Sequence, residues 1–348
     1  MVPKLQSEKR EKVTISDIAR QSGVSPATVS LALRNKPGVG QETRQRIFEN
    51  AKALGYLGTS IQAEPYANIG TIGLIIKLNA AEDTLTNNFY TPVLAGIEAT
   101  CRMQNINLLY AHLLVDQDNQ PLEAPQLLRE QQTRGLLFVG AILNQPTLNI
   151  LQQQNIPIVL VDAYAIDDQF DTVISDNETG AYQATKYLIE HGHCKIAIVG
   201  SLPHAYPSIL GRRNGYLKAM EEQGLVPQFI DCHLDGGEAA VAAAQFFKTN
   251  PEVTALFCCN DEIAISVMNT AKALGKRIPQ DLSIIGYDDI GLAQHVSPAL
   301  TTMHVDKRGM GRLATQLLLN RIRFPQMGRV QTVVRPYLVE RNSVAQNQ

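Results

Sequence analysis

From residue 69 to the C-terminus the sequence alternates short, unbroken apolar runs with longer stretches whose apolar residues recur every three or four positions. Runs of the first kind fall at 71–76, 107–113, 135–139 and 156–161, then at 195–199, 255–259 and 282–287, with another at 331–339. Strands that are apolar on both faces are buried on both faces, and intervening helices make the connections crossovers. The pattern therefore predicts parallel sheets covered on each side by helices. One helical stretch, 88–103, puts Phe89, Val93, Ile97 and Cys101 on one face, and another, 178–191, does so with Ala181, Ala184, Leu188 and Ile189. Because the alternation occurs twice, the expected fold class is α/β, with two doubly wound lobes. Ligands of open α/β sheets sit beyond the carboxyl ends of strands, here in a cleft between lobes.

Residues 1–58 read differently. Ser16 is expected to cap a first helix over 17–21 with Ile18 and Ala19 turned inward, and Gly23 allows the left-handed residue that ends it. After a sharp turn, Ser25 caps a second helix to about residue 33. Its Val29 and Ala32, with the preceding Val24, face inward, while Pro26, Ala27, Thr28, Ser30 and Leu31 are left for solvent or DNA. A third helix over 41–54 carries Thr43, Ile47, Ala51 and Leu54 as its stripe, closed by Gly55. This is a helix-turn-helix, whose second helix presents its N-terminal residues to the major groove. The segment holds ten Lys or Arg against five acids, a net of +5, in a chain whose total of −2 leaves −7 for the rest. Such asymmetry points to a polyanion partner for the basic end alone; a plain bundle with a solvated basic face is the rival reading.

At 348 residues and 45% hydrophobic, the chain suffices for two or three domains with substantial cores. No apolar run approaches ~18 residues and the N-terminus is charged without an apolar signal region, so a cytoplasmic protein is expected, with no membrane partner. The five cysteines, Cys101, Cys194, Cys232, Cys258 and Cys259, form no C-x-x-C pair and read as reduced, buried thiols rather than a metal site. Glycine-rich phosphate loop, nucleophile elbow and metal spacing are all missing, and His191 and His193 read as partners of a helix C-terminus. Neither catalytic residues nor metal nor cofactor is expected, and the chain does not read as an enzyme.

Several short motifs then fall in a shared order: Thr14-Ile15-Ser16-Asp17-Ile18-Ala19, Gly23-Val24-Ser25, Ala27-Thr28-Val29-Ser30, Ile72-Gly73-Leu74, Arg134-Gly135-Leu136, Ile156-Pro157-Ile158-Val159, Asp176-Asn177, His191-Gly192-His193, Arg212 with Gly215-Tyr216, Asn260-Asp261 and Ile285-Gly286-Tyr287-Asp288-Asp289. By their order and spacing the chain resembles the lactose/galactose repressor (LacI/GalR) family of bacterial transcription regulators along essentially its whole length. The resemblance implies a two-lobed, periplasmic-binding-protein-like body, with lobes at 70–174 plus 303–330 and 175–302 plus 331–348, behind a helix-turn-helix domain (1–58) and a hinge (59–69). It also implies a homodimer on a pseudo-palindromic double-stranded operator, acting as a repressor controlled by a small, sugar-like effector. A two-lobed sugar receptor without transcriptional role is the alternative.

Carried over by position, the resemblance puts Thr14, Ser16, Ser25, Thr28, Ser30 and Asn35 at DNA phosphates and Pro26, Ala27 and Leu31 at bases. None of those three side chains can make a bidentate hydrogen bond, so readout would rest on apolar contacts and DNA shape. Tyr56, counted by the resemblance among the DNA-binding residues, leads into a hinge that departs from the family's pattern, with Pro65 at or near the position of its minor-groove leucine. Either Ile61 supplies a shifted wedge or the hinge stays out of the groove. The effector site falls on Phe89, Tyr90, Asp162, Tyr206, Ser208, Arg212, Asn260, Asp261 and Asp288, a set suited to a ligand rich in hydroxyls or amides. For Asp261 and Asp288, helix capping or hinge bonding is the competing role, and for Arg212 a surface ion pair. Where several relatives place an aromatic lid, this chain has Gly236-Gly237.

Overall fold

A computed structural model of the chain describes residues 13–33, 36, 38–54, 56, 69–79, 88–116, 119–130, 132–140, 143–164 and 169–347. The chain forms two compact units, Met1–Ala67 and Asn68–Gln348.

In the first unit, helices α1 (Ile15–Ser22), α2 (Pro26–Leu33) and α3 (Gln41–Ala53) bury Ile18, Ala19, Val29, Ala32, Ile47 and Ala51 in one core. Thr14, not Ser16, stands at the start of α1. The Asp17 carboxylate reaches back to accept from the Thr14 N–H at 2.9 Å and its hydroxyl at 2.6 Å, so the helix begins two residues earlier than Ser16 would allow. Gly23 ends the helix at φ 65°. Ser25 caps α2, its Oγ accepting from the Thr28 N–H at 3.1 Å. Gly55 lies outside the described residues.

The second unit holds two six-stranded sheets. The first consists of β1 (Thr71–Asn79), β2 (Asn107–Val115), β3 (Leu136–Val139), β4 (Ile158–Val161), β5 (Asp171–Ser175) and β11 (Gln331–Val334), in the order β11-β5-β4-β3-β1-β2 and all parallel. The second consists of β6 (Ile196–Val199), β7 (Gln228–Ile230), β8 (Ala255–Cys258), β9 (Ser283–Asp288), β10 (Thr301–His304) and β12 (Tyr337–Val339), in the order β12-β10-β9-β8-β6-β7, with only β12 antiparallel. Strands β5, β7 and β10 add to the expected set, and the single run expected over 331–339 is two strands. Pro336 cannot donate to a ladder, and at that point the chain leaves the first sheet for the second.

The helices between strands are α4 (Tyr90–Met103), α5 (Gln126–Glu130), α6 (Gln145–Gln152), α7 (Asn177–Glu190), α8 (Pro207–Glu222), α9 (Gly236–Thr249), α10 (Asp261–Ala273) and α11 (Lys307–Arg323). The chain passes between lobes three times: after β5, after β10 and between β11 and β12. The first-lobe return thus begins past His304 rather than at 303 and runs to Val334 rather than 330. Helices α4 and α11 pack backbone to backbone: a Cβ on Gly96 would lie 2.1 Å from the Arg308 carbonyl oxygen, and one on Gly311 2.1 Å from that of Val93. A buried pair locks the return in place: Arg321 donates to both oxygens of Asp171 at 2.7 and 2.8 Å and to the carbonyls of Met327 and Gly328, while Val330 N–H donates to Asp171.

Candidate functional site

Two arrangements follow from this fold. In the helical unit, Pro26, Ala27 and Leu31 on α2 are exposed, as are Ser25 at its start and Thr14 and Ser16 at the start of α1, while Thr28 and Ser30 are half-buried. The cap bond that fixes Ser25 also ties its hydroxyl to that of Thr28 at 2.8 Å. Tyr56 is half-buried against the helical core. Asn35, Ile61, Pro65 and the span 59–68 lie outside the described residues.

In the two-lobed unit, strand ends converge as α/β connectivity requires. Three acids just past or at strand ends, Asp162, Asp288 and Asp289, hold positive φ of 49°, 102° and 52°, a conformation costly for residues with a Cβ. Arg212, on α8, is 5% exposed and fully engaged: Nε donates to Asn177 Oδ1 at 2.9 Å, Nη2 to Asp288 Oδ1 at 3.0 Å, Nη1 to the Cys259 carbonyl, and its plane lies 3.8 Å over the Tyr287 ring. It is no surface ion pair. From the first lobe, Tyr90 donates to Asp162 Oδ2 at 3.1 Å, and Phe89 packs edge-on against Tyr90.

Burial pushes Asp162 up to about 7, with Arg212 and the Tyr90 hydroxyl opposing the shift. Burial also raises Asp288, against the pull of Arg212 and Lys307. Arg212 is thus ion-paired with Asp288 of its own lobe and lies within the electrostatic reach of Asp162 of the other.

Other expected residues turn elsewhere. Asn260 caps α10 by accepting from the Ile263 N–H at 2.9 Å. Asp261, fully buried, accepts from Ile290 N–H at 2.8 Å and the Thr302 hydroxyl at 2.5 Å, and burial pushes it up to about 8. Their hydrogen bonds stay within the second lobe. Tyr206 is exposed at the start of α8, and Ser208 is half-buried in its first turn. Gly236 and Gly237 open α9 behind the Asp235 cap and carry no ring toward the cleft.

The structure adds residues not named as site candidates. Tyr164 accepts from Asn177 Nδ2 at 3.2 Å, joining the first lobe to α7, and Asn88 donates to Glu262 Oε1 at 2.7 Å across the lobes. Behind Asp288, Lys307 donates to the carbonyls of Asp288, Asp289 and Val305, and Asp289 accepts from Arg341 at 2.6 Å and pairs with His304 at 2.8 Å. The motifs Asp176-Asn177 and Asp288-Asp289 were the available signals for Asn177 and Asp289. His191 bonds the Tyr187 carbonyl at the end of α7 as expected, whereas His193 bridges Thr254 and the Ala345 carbonyl. Four cysteines are buried, but Cys194 is exposed. Among the described residues, no group of three or more His, Cys, Asp or Glu could hold a metal ion, and no helix is long and apolar enough to cross a membrane.

Comparison with known proteins bears on both arrangements. Residues 14–58 match the family described as bacterial regulatory proteins, lacI family, and residues 185–344 match the periplasmic binding protein-like domain. The chain is 33% identical over 337 residues to the HTH-type transcriptional repressor PurR of Vibrio atlanticus (strain LGP32), covering 95% of this chain and 98% of that protein. The PurR repressor of Vibrio vulnificus (strain CMCP6) is 32% identical with the same coverage. A LacI family transcriptional regulator from Enterococcus faecalis V583, solved with bound ribose, is 29% identical with a TM-score of 0.67, covering 80% of this chain and 100% of that one. The lac repressor dimer bound to operator and the anti-inducer ONPF shares the fold at 20% identity, with a TM-score of 0.67 over 96% of this chain and 100% of that one.

Proposed function

The chain belongs to the LacI family of bacterial regulatory proteins, and from that membership we propose how its residues divide the work of a repressor that binds operator DNA as a dimer under the control of a sugar or related metabolite. Thr14, Ser16, Ser25, Thr28 and Ser30 hold phosphates, while Pro26, Ala27 and Leu31 meet base edges through apolar contact. Asn35 and Ile61, outside the described residues, complete the DNA set as phosphate contact and wedge candidate, and Tyr56 braces the third helix.

The effector lies between Asp162 of the first lobe and Arg212 with Asp288 of the second, with Phe89, Tyr90, Tyr206 and Ser208 at its edges. Asn260 and Asp261 support the second-lobe wall from behind. The observation that carries this reading is the buried Arg212, held between Asn177 and Asp288 within the field of Asp162. A ligand bridging these groups couples its occupancy to lobe orientation, and it shifts operator affinity by no more than its differential affinity for the two states.

The partner subunit docks on the first lobe, where Leu109, Tyr110 and Leu114 stand exposed along edge strand β2. The protein works in the cytoplasm and turns over no substrate.

The test has two arms. Duplexes selected from a random pool by the full chain are compared in gel shifts with unselected DNA, and thermal unfolding is screened against sugars, sugar phosphates and nucleobases. A preferred duplex, and a stabilising compound whose effect Arg212→Lys abolishes, are expected. Absence of any sequence preference sinks the DNA reading. A stabilising compound indifferent to Arg212 sinks the effector site.

A further inference from the structure

Helix α2 must expose its N-terminal face to DNA, so the groups that hold it come from elsewhere in the unit. Its N-terminus is served locally by Ser25, but its last turn contains no basic residue to complement the carbonyl end of the helix dipole. That charge comes from the first turn of α3. Arg44, half-buried, lies on the face of α3 that also carries Ile47 and Ala51, and its fork spans the end of α2: Nη1 donates to the Ala32 carbonyl at 3.0 Å and Nη2 to the Lys36 carbonyl at 2.6 Å. One helical turn and a half further on, Asn50 does the same for α1, with Nδ2 donating to the Gln21 carbonyl at 3.3 Å and Ser22 Oγ at 3.0 Å. The third helix thus holds the C-terminal ends of both helices of the motif.

We infer that Arg44 is a positioning residue for base readout: it fixes the axial orientation of α2 through the carbonyls of Ala32 and Lys36, and does not serve as one of the unit's phosphate contacts. The inference rests on the DNA-binding reading. Its physical content is a separation of two quantities. Contacts to phosphates set affinity for any duplex and the dependence of that affinity on salt, whereas contacts to bases demand that Pro26, Ala27 and Leu31 meet particular edges together. A tilt of α2 misaligns the second set and leaves flexible hydroxyl-to-phosphate contacts able to follow.

The experiment uses the full chain with the duplex it prefers from a random pool and an unrelated duplex of equal length, both read by fluorescence anisotropy over a salt series. For Arg44→Met and Arg44→Lys, affinity for the preferred duplex is expected to fall about tenfold, the scale of one or two lost hydrogen bonds to charged donors. Affinity for the unrelated duplex should stay within about twofold and the salt slope should be unchanged. If Arg44→Met melts the helical unit by circular dichroism, Arg44→Gln, whose amide still reaches one carbonyl, takes its place. Equal losses on both duplexes with a slope lower by about one would mark Arg44 as a phosphate contact and overturn the inference, as would unchanged binding to both. A wild-type chain that prefers no duplex overturns the DNA reading, and this inference with it.

Discussion

The two lobes finish their strands differently at the cleft. In the second, the polar groups are bound before any ligand arrives: Asn260 caps a helix, Asp261 serves Ile290 and Thr302, Asp289 serves Arg341 and His304, and Asp288 holds Arg212. In the first, Asp162 accepts from Tyr90 of its own lobe and lies in the field of Arg212 and Asp288 of the other. The second lobe's polar groups are thus tied to one another, whereas Asp162 is tied to Tyr90 and lies in the field of the other lobe's arginine. Preorganisation belongs where specificity is set, and freedom belongs where closure is sensed.

This contrast can be broken most severely at Arg212. Arg212→Met leaves Asp288 buried without its partner and should cost about 3–5 kcal/mol, lowering the calorimetric midpoint by about 10 °C; an unchanged midpoint would show that the second lobe's polar groups are not built around this one. Changes in the other wall should be felt in binding rather than in stability. Asp162→Asn removes a carboxyl that burial already disfavours as an anion, so the midpoint should hold or rise while affinity for a stabilising compound found in the thermal screen drops about tenfold, read by calorimetric titration. A midpoint loss rivalling that of Arg212→Met would erase the distinction between the walls.

Next in size is the dependence on pH. Asp162 and Asp261 are raised in the fold to about 7 and about 8, so between about pH 4 and 8 the folded chain holds more protons than the unfolded one. Stability contributed by these groups is therefore full below pH 4 and is lost as pH rises through 7 and 8. Asp289 and Asp281 are lowered, so their effect lies below pH 4. Urea unfolding at pH 5 and pH 8 checks this, and Asp261→Asn, which mimics the neutral acid, should flatten the difference more than Asp162→Asn does. The smallest effect belongs to the exposed bond between Asn88 and Glu262: Asn88→Ala should move compound affinity by no more than about twofold, and a larger change would make that bridge part of the closure.

The alternating body and the three-helix unit were legible because both rest on local periodicity. Strands β5 and β10 were not. Asp171-Thr172-Val173-Ile174-Ser175 alternates buried and half-buried residues, and Thr301-Thr302-Met303-His304 is polar in composition though its first three residues are buried. Their burial comes from neighbours far along the chain. Asp162, Arg212 and Asp288 were readable as strand-end or motif residues, whereas the Tyr164 contact to Asn177 depends on a crossover that sequence does not display. Asn260 and Asp261 show competing claims on a strand-end residue. They occupy strand-end positions, but a helix begins immediately after them, and its free N–H groups and the neighbouring strand claim the side chains.

The three passages between lobes bear on how such proteins can be recombined. The first lobe is assembled from two distant stretches, so a chain cut after Ser175 would lack β11 beside β5 and the helix that Gly96 is notched to receive. Neither lobe can be lifted out by one cut or exchanged by one splice. The helical unit at the other end is a single continuous stretch, so a single junction moves the reader onto a different sensor whole, and the repertoire of addresses and signals can diversify independently.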